Sequence, residues 1–503
     1  MKKNQKTYDN LLFIILFSFV IFFLFKNYNK LGLFADDIGT IYQLNKELSI
    51  KELIIYSHYW DAGRDLHLIW QKIFINISKP NLVENIHFFQ FLLYFFNALL
   101  LFYFLNCLKI ERKIASICSV IYIFFPVYAE VAFWTHAFSM VLMSTFFFLI
   151  FIIINFKIFT ENEKNKKIFL ECLSIIFLLL NLFTYEQSIA TCYAIILLRQ
   201  ILKIKFKNIK IYKTIFISAI YGIIILLFSY YKLNESGLFA NNTNELYFTG
   251  SSIVETSQII KNIIHSYAFF ITNIFLFNFS YFFKTLFVEK LFFIGITILF
   301  FFIFSKLDKK KFKTIDNYFI LILICFLLYT ISFIPLYIHY ISDRHFYIPA
   351  IFAVVGLAFT IHKFMEIIEN KDKIKKVFFS LLFIFLINCI VNFDITKMNY
   401  IKNYNLKKNF YKEISNPKKK YNKNIHLIDF PDLINKVIFF AHEQVEAMKI
   451  YTGNELAPKI FRGYIDRNEF AEHDFLIPAI LANVRLIRFK AIKKNKIIYS
   501  LSD

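Results

Sequence analysis

Long apolar runs alternate with short polar stretches from the N-terminus to about residue 394, and then the pattern changes. A membrane-spanning helix needs about 20 mostly apolar residues, with a range of roughly 17–25. Runs of that kind centre on 9–27, 88–108, 113–129, 137–156, 168–184, 186–201, 214–231, 290–306, 317–338, 347–363 and 376–394. A further stretch, 263–283, is apolar but interrupted by Asn273, Asn278 and Ser280. Between the first two runs, 28–87 carries amphipathic segments at 46–59 and 65–77, which predict helices lying along a membrane surface. After residue 395 comes a basic linker, 416–423, and then a predicted strand at 424–430, stopped by Pro431. The pattern predicts a mainly α fold: a polytopic bundle of about 11–13 transmembrane helices over 1–395 and a small mixed α/β domain over 396–503. About 100 residues is enough for a modest core.

Composition supports this division. The hydrophobic share is 58% and the charged share 19%, against about 45–50% and about 25% in soluble proteins. So much apolar surface excludes a soluble single-core protein and a disordered chain. The six cysteines lie in or beside apolar runs with no CxxC spacing, which suggests neither a disulfide framework nor a zinc site.

The formal charge of +22 changes the picture only when it is mapped onto the loops. With the N-terminus inside, the inner segments hold 26 Lys/Arg in 67 residues and the outer segments 12 in 142. That asymmetry follows the positive-inside rule, so the surplus is an orientation signal and not a nucleic-acid footprint. It predicts a cytoplasmic N-terminus, a re-entrant or surface position for 263–283, and an extracytoplasmic tail. The first run lacks a nearby small-x-small cleavage site and reads as an uncleaved helix. The expected location is a bacterial cytoplasmic (inner) membrane.

Four groups of polar residues fall on the predicted outer face. Asp36 and Asp37 follow the first helix by about ten residues; paired carboxylates near a bilayer are costly unless solvated, paired or bound to a cation. Such a pair can supply a general base and a partner that orients it. Glu130 and His136 occupy a very short outer loop. Glu186 sits in a tight hairpin, where capping of the following helix is the simpler role. Arg344, flanked by Asp343 and His345, begins a helix, and Arg is a bidentate partner for phosphate. Arg64 is a second candidate for phosphate or sugar contact. Trp60, Trp70 and Trp134 fit either an interfacial aromatic belt or stacking on a sugar ring.

With an acidic pair after helix one (Asp36, Asp37), an acid in the second outer loop (Glu130), the Glu186 hairpin and the Arg-aromatic-Pro stretch 344–349, the chain resembles the GT-C superfamily of polytopic glycosyltransferases. That superfamily includes the protein O-mannosyltransferases and the aminoarabinose transferases of lipid A. The resemblance implies an inverting transfer of a sugar from a polyprenyl-phosphate-linked donor to a hydroxyl of a glycan, lipid or protein acceptor. Asp36 or Asp37 would be the base and Arg344 the cation at the leaving phosphate. Glu130, His136, Glu186, Arg64 and His345 would line the substrate site. A divalent cation is an optional helper, with Asp37, Glu130 and His136 as its candidate ligands. The lipid bilayer is an expected partner and nucleic acid is not. Two other readings compete: a glycan polymerase or ligase of another superfamily, which would use Arg-rich outer loops, and a transporter or flippase without chemistry.

Overall fold

The computed structural model describes residues 2–33, 37, 41, 44, 49–54, 64–79, 81–125, 129–207, 211–235, 316–333, 343–367 and 372–414, together with tail strands between 424 and 502. Asp36, Trp60, the interrupted stretch 263–283 and the run 290–306 lie outside the described residues, as do the side chains of Glu130 and Asp343.

Among the described residues the helices are α1 (Lys2–Phe25), α2 (Asp65–Ser78), α3 (Leu82–Cys107), α4 (Arg112–Phe124), α5 (Ala129–Phe133), α6 (Thr135–Thr160), α7 (Lys164–Thr184), α8 (Ile189–Lys207), α9 (Ile211–Glu235), α10 (Asp316–Ile331), α11 (Pro349–Ile367) and α12 (Asp372–Ile414). Eight of the described helices are long and apolar enough to cross a membrane. The chain is an integral membrane helical bundle. The amphipathic segment 65–77 forms α2 as expected.

Burial sorts the helices. The apolar window of α6 is 89% buried, whereas that of α1 is 22% buried. Ile14, Phe19 and Phe22 of α1 face outward, as apolar side chains can in a lipid solvent. Helix α6 is the axis around which α2, α3, α7 and α8 pack. It is not regular throughout: Phe138–Leu142 form a π-turn. A π-turn displaces backbone carbonyls from their normal partners, and buried carbonyls need acceptance partners from elsewhere. The Asn97 amide of α3 donates to Leu142 O at 3.1 Å. Two turns earlier on α3, Gln90 donates to Val131 O (3.0 Å) and Trp134 O (3.2 Å), bridging the break between α5 and α6.

The apolar run expected to end at 394 continues as one helix to Ile414, so α12 is 43 residues long. Its second half returns over the end of α1. Lys397 is buried and donates to Leu24 O (2.6 Å) and Phe23 O (3.2 Å), two of the carbonyls left open at the C-terminus of α1. Lys26 pairs with Asp394 at 3.0 Å. Phe393 and Tyr400 pack on Phe133, with ring centroids 5.0 and 4.9 Å apart.

The tail holds a four-stranded sheet in the order β4-β1-β5-β6, with β1 at Asn424–Ile428, β4 at Ile460–Gly463, β5 at Val484–Lys493 and β6 at Lys496–Ser502. Strand β1 is parallel to β4 and β5, and β5 and β6 form an antiparallel hairpin. Leu433–Ile434 (β2) and Val437–Ile438 (β3) make a separate two-stranded ladder. Strand β6 lies beside α12.

Gly32 tests the packing of this end. A Cβ on Gly32 would fall inside the Tyr404 ring of α12, while Gly32 O is bonded to His87 Nε2 at 3.0 Å. Gly32→Ala should destabilise the protein by about 1–3 kcal/mol, the usual cost of overpacking. Thermal unfolding in detergent measures the loss, and Tyr404→Ala in the same background should recover part of it.

Candidate functional site

The site forms where α6 begins. A helix N-terminus leaves backbone N–H groups without intrahelical acceptors, and Trp134, at the capping position, offers no side-chain cap. Asp37 fills the role from 98 residues away. Its Oδ2 accepts the Thr135 N–H at 3.1 Å and its Oδ1 accepts the His136 N–H at 2.5 Å. The carboxylate is fully buried. Its charge is favoured there by the two donors and by the positive end of the helix dipole. Lys407, also buried, attracts it from α12.

Around this cap the aromatic and basic groups converge. The Arg344 guanidinium lies 4.7 Å from the centre of the Trp134 ring, within cation–π range. Trp134 and His136 rings are 5.5 Å apart, and His67 of α2 meets His136 edge-on at 4.6 Å. Among the described residues the Trp134 indole N–H and the Thr135 hydroxyl are buried with no hydrogen-bond partner. Buried polar groups of that kind are normally satisfied by a water or a ligand.

The second cluster sits three residues before His67. Arg64 holds Glu186 in a bidentate pair, Nε to Oε2 at 3.0 Å and Nη2 to Oε1 at 2.6 Å. Its guanidinium also lies 5.2 Å from the centre of the Tyr185 ring. Helix α2 therefore carries both contacts, Arg64 on the Glu186 hairpin and His67 on the start of α6. The hairpin reaches the Arg344 turn directly: Gln187 Nε2 donates to His345 O at 2.5 Å. The turn, Asp343–Phe346, is anchored by Tyr347, whose ring packs against Tyr94 and Tyr122 at 5.4 and 5.0 Å, with its carbonyl accepting the Tyr122 hydroxyl at 3.2 Å.

Of the residues singled out in the sequence, Asp37, His136, Arg344, His345, Arg64 and Glu186 are thus tied into one network at one end of the bundle. Glu130 lies within α5, next to the cap. Four contributors were not anticipated: His67, Gln90, Lys397 and Lys407. The signal for the last two was present. Buried Phe393, Tyr400, Ile401, Leu406 and Phe410 keep a helical period beyond 394, on the same side as Lys397 and Lys407. Among the described residues no three His, Cys, Asp or Glu side chains form a metal-binding group; the side chain of Glu130, the third candidate ligand, lies outside them.

Among solved structures, the chain is similar to ArnT from Cupriavidus metallidurans, crystallised bound to undecaprenyl phosphate. The match has a TM-score of 0.45 and 9% sequence identity, covering 95% of this chain and 92% of that one. No family model matches the sequence, and no curated protein matches it.

The Arg64–Glu186 pair joins the two halves of the network and is only partly shielded, with side-chain exposures of 20% and 31%. Arg64→Lys keeps the charge but loses the fork. A double-mutant cycle over Arg64→Lys and Glu186→Gln, read by thermal unfolding, should return a coupling on the order of 1 kcal/mol. Additive effects would mean that the pair does not hold the hairpin.

Proposed function

We propose that the chain is a membrane glycosyltransferase that moves a sugar from a polyprenyl-phosphate-linked donor to an acceptor hydroxyl, with inversion, on the extracytoplasmic face of a cytoplasmic membrane. The observation that carries this reading is the joining of carboxylate, guanidinium and unpartnered indole and hydroxyl donors at the mouth of the most buried helix. A lipid-linked sugar phosphate presents an anionic group beside several hydroxyls at the membrane surface, and this set of side chains complements both. The basic clusters at the opposite ends of the helices support a cytoplasmic N-terminus.

Each group has a distinct task in this reading. Asp37 has both oxygens engaged by backbone N–H groups and is fully buried, which suits a carboxylate that fixes the start of α6. That leaves Asp36 as the base. Its carboxylate takes the acceptor O–H proton as the oxygen attacks the anomeric carbon. The bond from that carbon to the phosphate oxygen breaks, and its electron pair leaves with the polyprenyl phosphate. Arg344 neutralises the charge that builds on the leaving phosphate, an interaction stronger in the transition state than in the ground state. His136, Glu130 and His345 line the acceptor side, while Arg64 and Glu186 hold the hairpin that closes the site.

Incubating the purified protein with labelled polyprenyl-phosphate sugars and cell-envelope acceptors tests the donor class, release of polyprenyl phosphate being the readout. Asp36→Asn should lower transfer by about 10²–10⁴-fold, the range for a general base, with unchanged melting temperature. Asp37→Asn should lower both, because it replaces one capping oxygen by a donor and costs about 0.5–2 kcal/mol. Arg344→Ala should reduce kcat by about 10²–10³-fold. Full transfer by Asp36→Asn would assign the base elsewhere, and lipid movement without any sugar transfer would favour a flippase.

A further inference from the structure

Three helices enclose a second charged cluster, away from the Asp37 end. Glu171 of α7, Arg199 and Lys203 of α8 and Tyr221 of α9 meet on the side of the bundle that carries the lysines of 164–167 and 203–207. Arg199 Nη1 lies 3.0 Å from Glu171 Oε2, and Lys203 Nζ lies 3.7 Å from Glu171 Oε1. The Tyr221 hydroxyl donates to Glu171 Oε2 at 2.9 Å. Arg199 and Lys203 are each 4% exposed, although both lie within a helix apolar enough to cross the membrane.

The charges do not balance. Two cations share one carboxylate, and Lys167 adds further positive potential at Lys203. The donors are not satisfied either. Among the described residues the Nε–H and Nη2–H groups of Arg199 are buried with no acceptor, and neighbouring Gln200, 3% exposed, has no partner for either end of its amide. An uncompensated charge within a membrane costs several kcal/mol. The arrangement therefore calls for one more negative charge with hydrogen-bond-accepting oxygens.

We infer that this cluster is a binding site for the phosphate of an anionic phospholipid headgroup. A phosphodiester carries the single charge that balances the surplus, and its oxygens match the open edge of a guanidinium. Ile176 of α7, Leu197 and Ile201 of α8 and Ile220 of α9 are exposed on the same three helices and supply apolar surface for acyl chains. Basic pockets between transmembrane helices bind lipid headgroups in this way. The inference is independent of the transferase reading.

Charge arithmetic gives variants of opposite sign. Delipidated protein in a neutral detergent is melted alone, with phosphatidylglycerol, with phosphatidylcholine and with inorganic phosphate. Phosphatidylglycerol should raise the wild-type melting temperature by several degrees more than phosphatidylcholine does. Lys203→Met balances the cluster and should abolish that increment without lowering the lipid-free melting temperature. Glu171→Gln doubles the surplus and should enlarge the increment. Retention of phosphatidylglycerol over phosphatidylcholine by the wild type in native mass spectrometry provides a readout that needs no variant to fold. Equal responses to the two lipids, or an increment that survives Lys203→Met, would overturn the inference. An equal shift with inorganic phosphate alone would overturn the lipid assignment in favour of a free anion.

Discussion

The carboxylate of Asp37 on the first N–H groups of α6 is the contact on which the rest of this end depends. Helix α6 is the most buried of the described spans, and its capping residue makes no side-chain bond to it. A charged group brought from the first loop satisfies two backbone donors at once and favours the helix dipole. Everything near it is then fixed by reference to that turn: Trp134 under Arg344, His136 against His67, and Gln90 on the carbonyls of the preceding break. The polar residues of α3 serve the same purpose further along, by filling the carbonyl left open at the π-turn.

Two regions of charge occupy opposite ends of the same helices and solve the burial problem differently. At the Asp37 end a carboxylate is held by backbone donors and a buried lysine. At the Glu171 end two buried cations outweigh their carboxylate. In both places the charged groups lie between helices and not on their lipid-facing sides, which carry Ile, Leu and Phe. Backbone and side-chain polar groups inside a bilayer have few other places to go.

Hydropathy made the membrane helices legible, and for several runs their boundaries agree within a few residues, as in 168–184 against Lys164–Thr184. It failed at α12, because Asp394 and Lys397 read as the end of a span. In the folded chain both charges are absorbed by the first helix: Asp394 pairs with Lys26, and Lys397 caps the carbonyls of α1. Members of the polar network were legible where charge was rare for its context, as with Arg64, Glu186 and Arg344. Their pairing was not, because Arg64 and Glu186 are 122 residues apart and no local period connects them. The capping role of Asp37 was equally hidden, since adjacent carboxylates are equivalent until one is matched to a particular helix terminus.

The length of α12 has a practical meaning. At 1.5 Å per residue its 43 residues extend about 65 Å, roughly twice a hydrocarbon core of about 30 Å. The half beyond Asp394 packs on the end of α1 and lies beside strand β6. Cutting the chain after residue 395, where hydropathy alone would separate two domains, would take away Lys397, Tyr400, Tyr404 and Lys407 together. The shortened bundle would keep its spans and lose one wall of its polar end. In this protein residue 395 falls inside a single helix that runs on to Ile414.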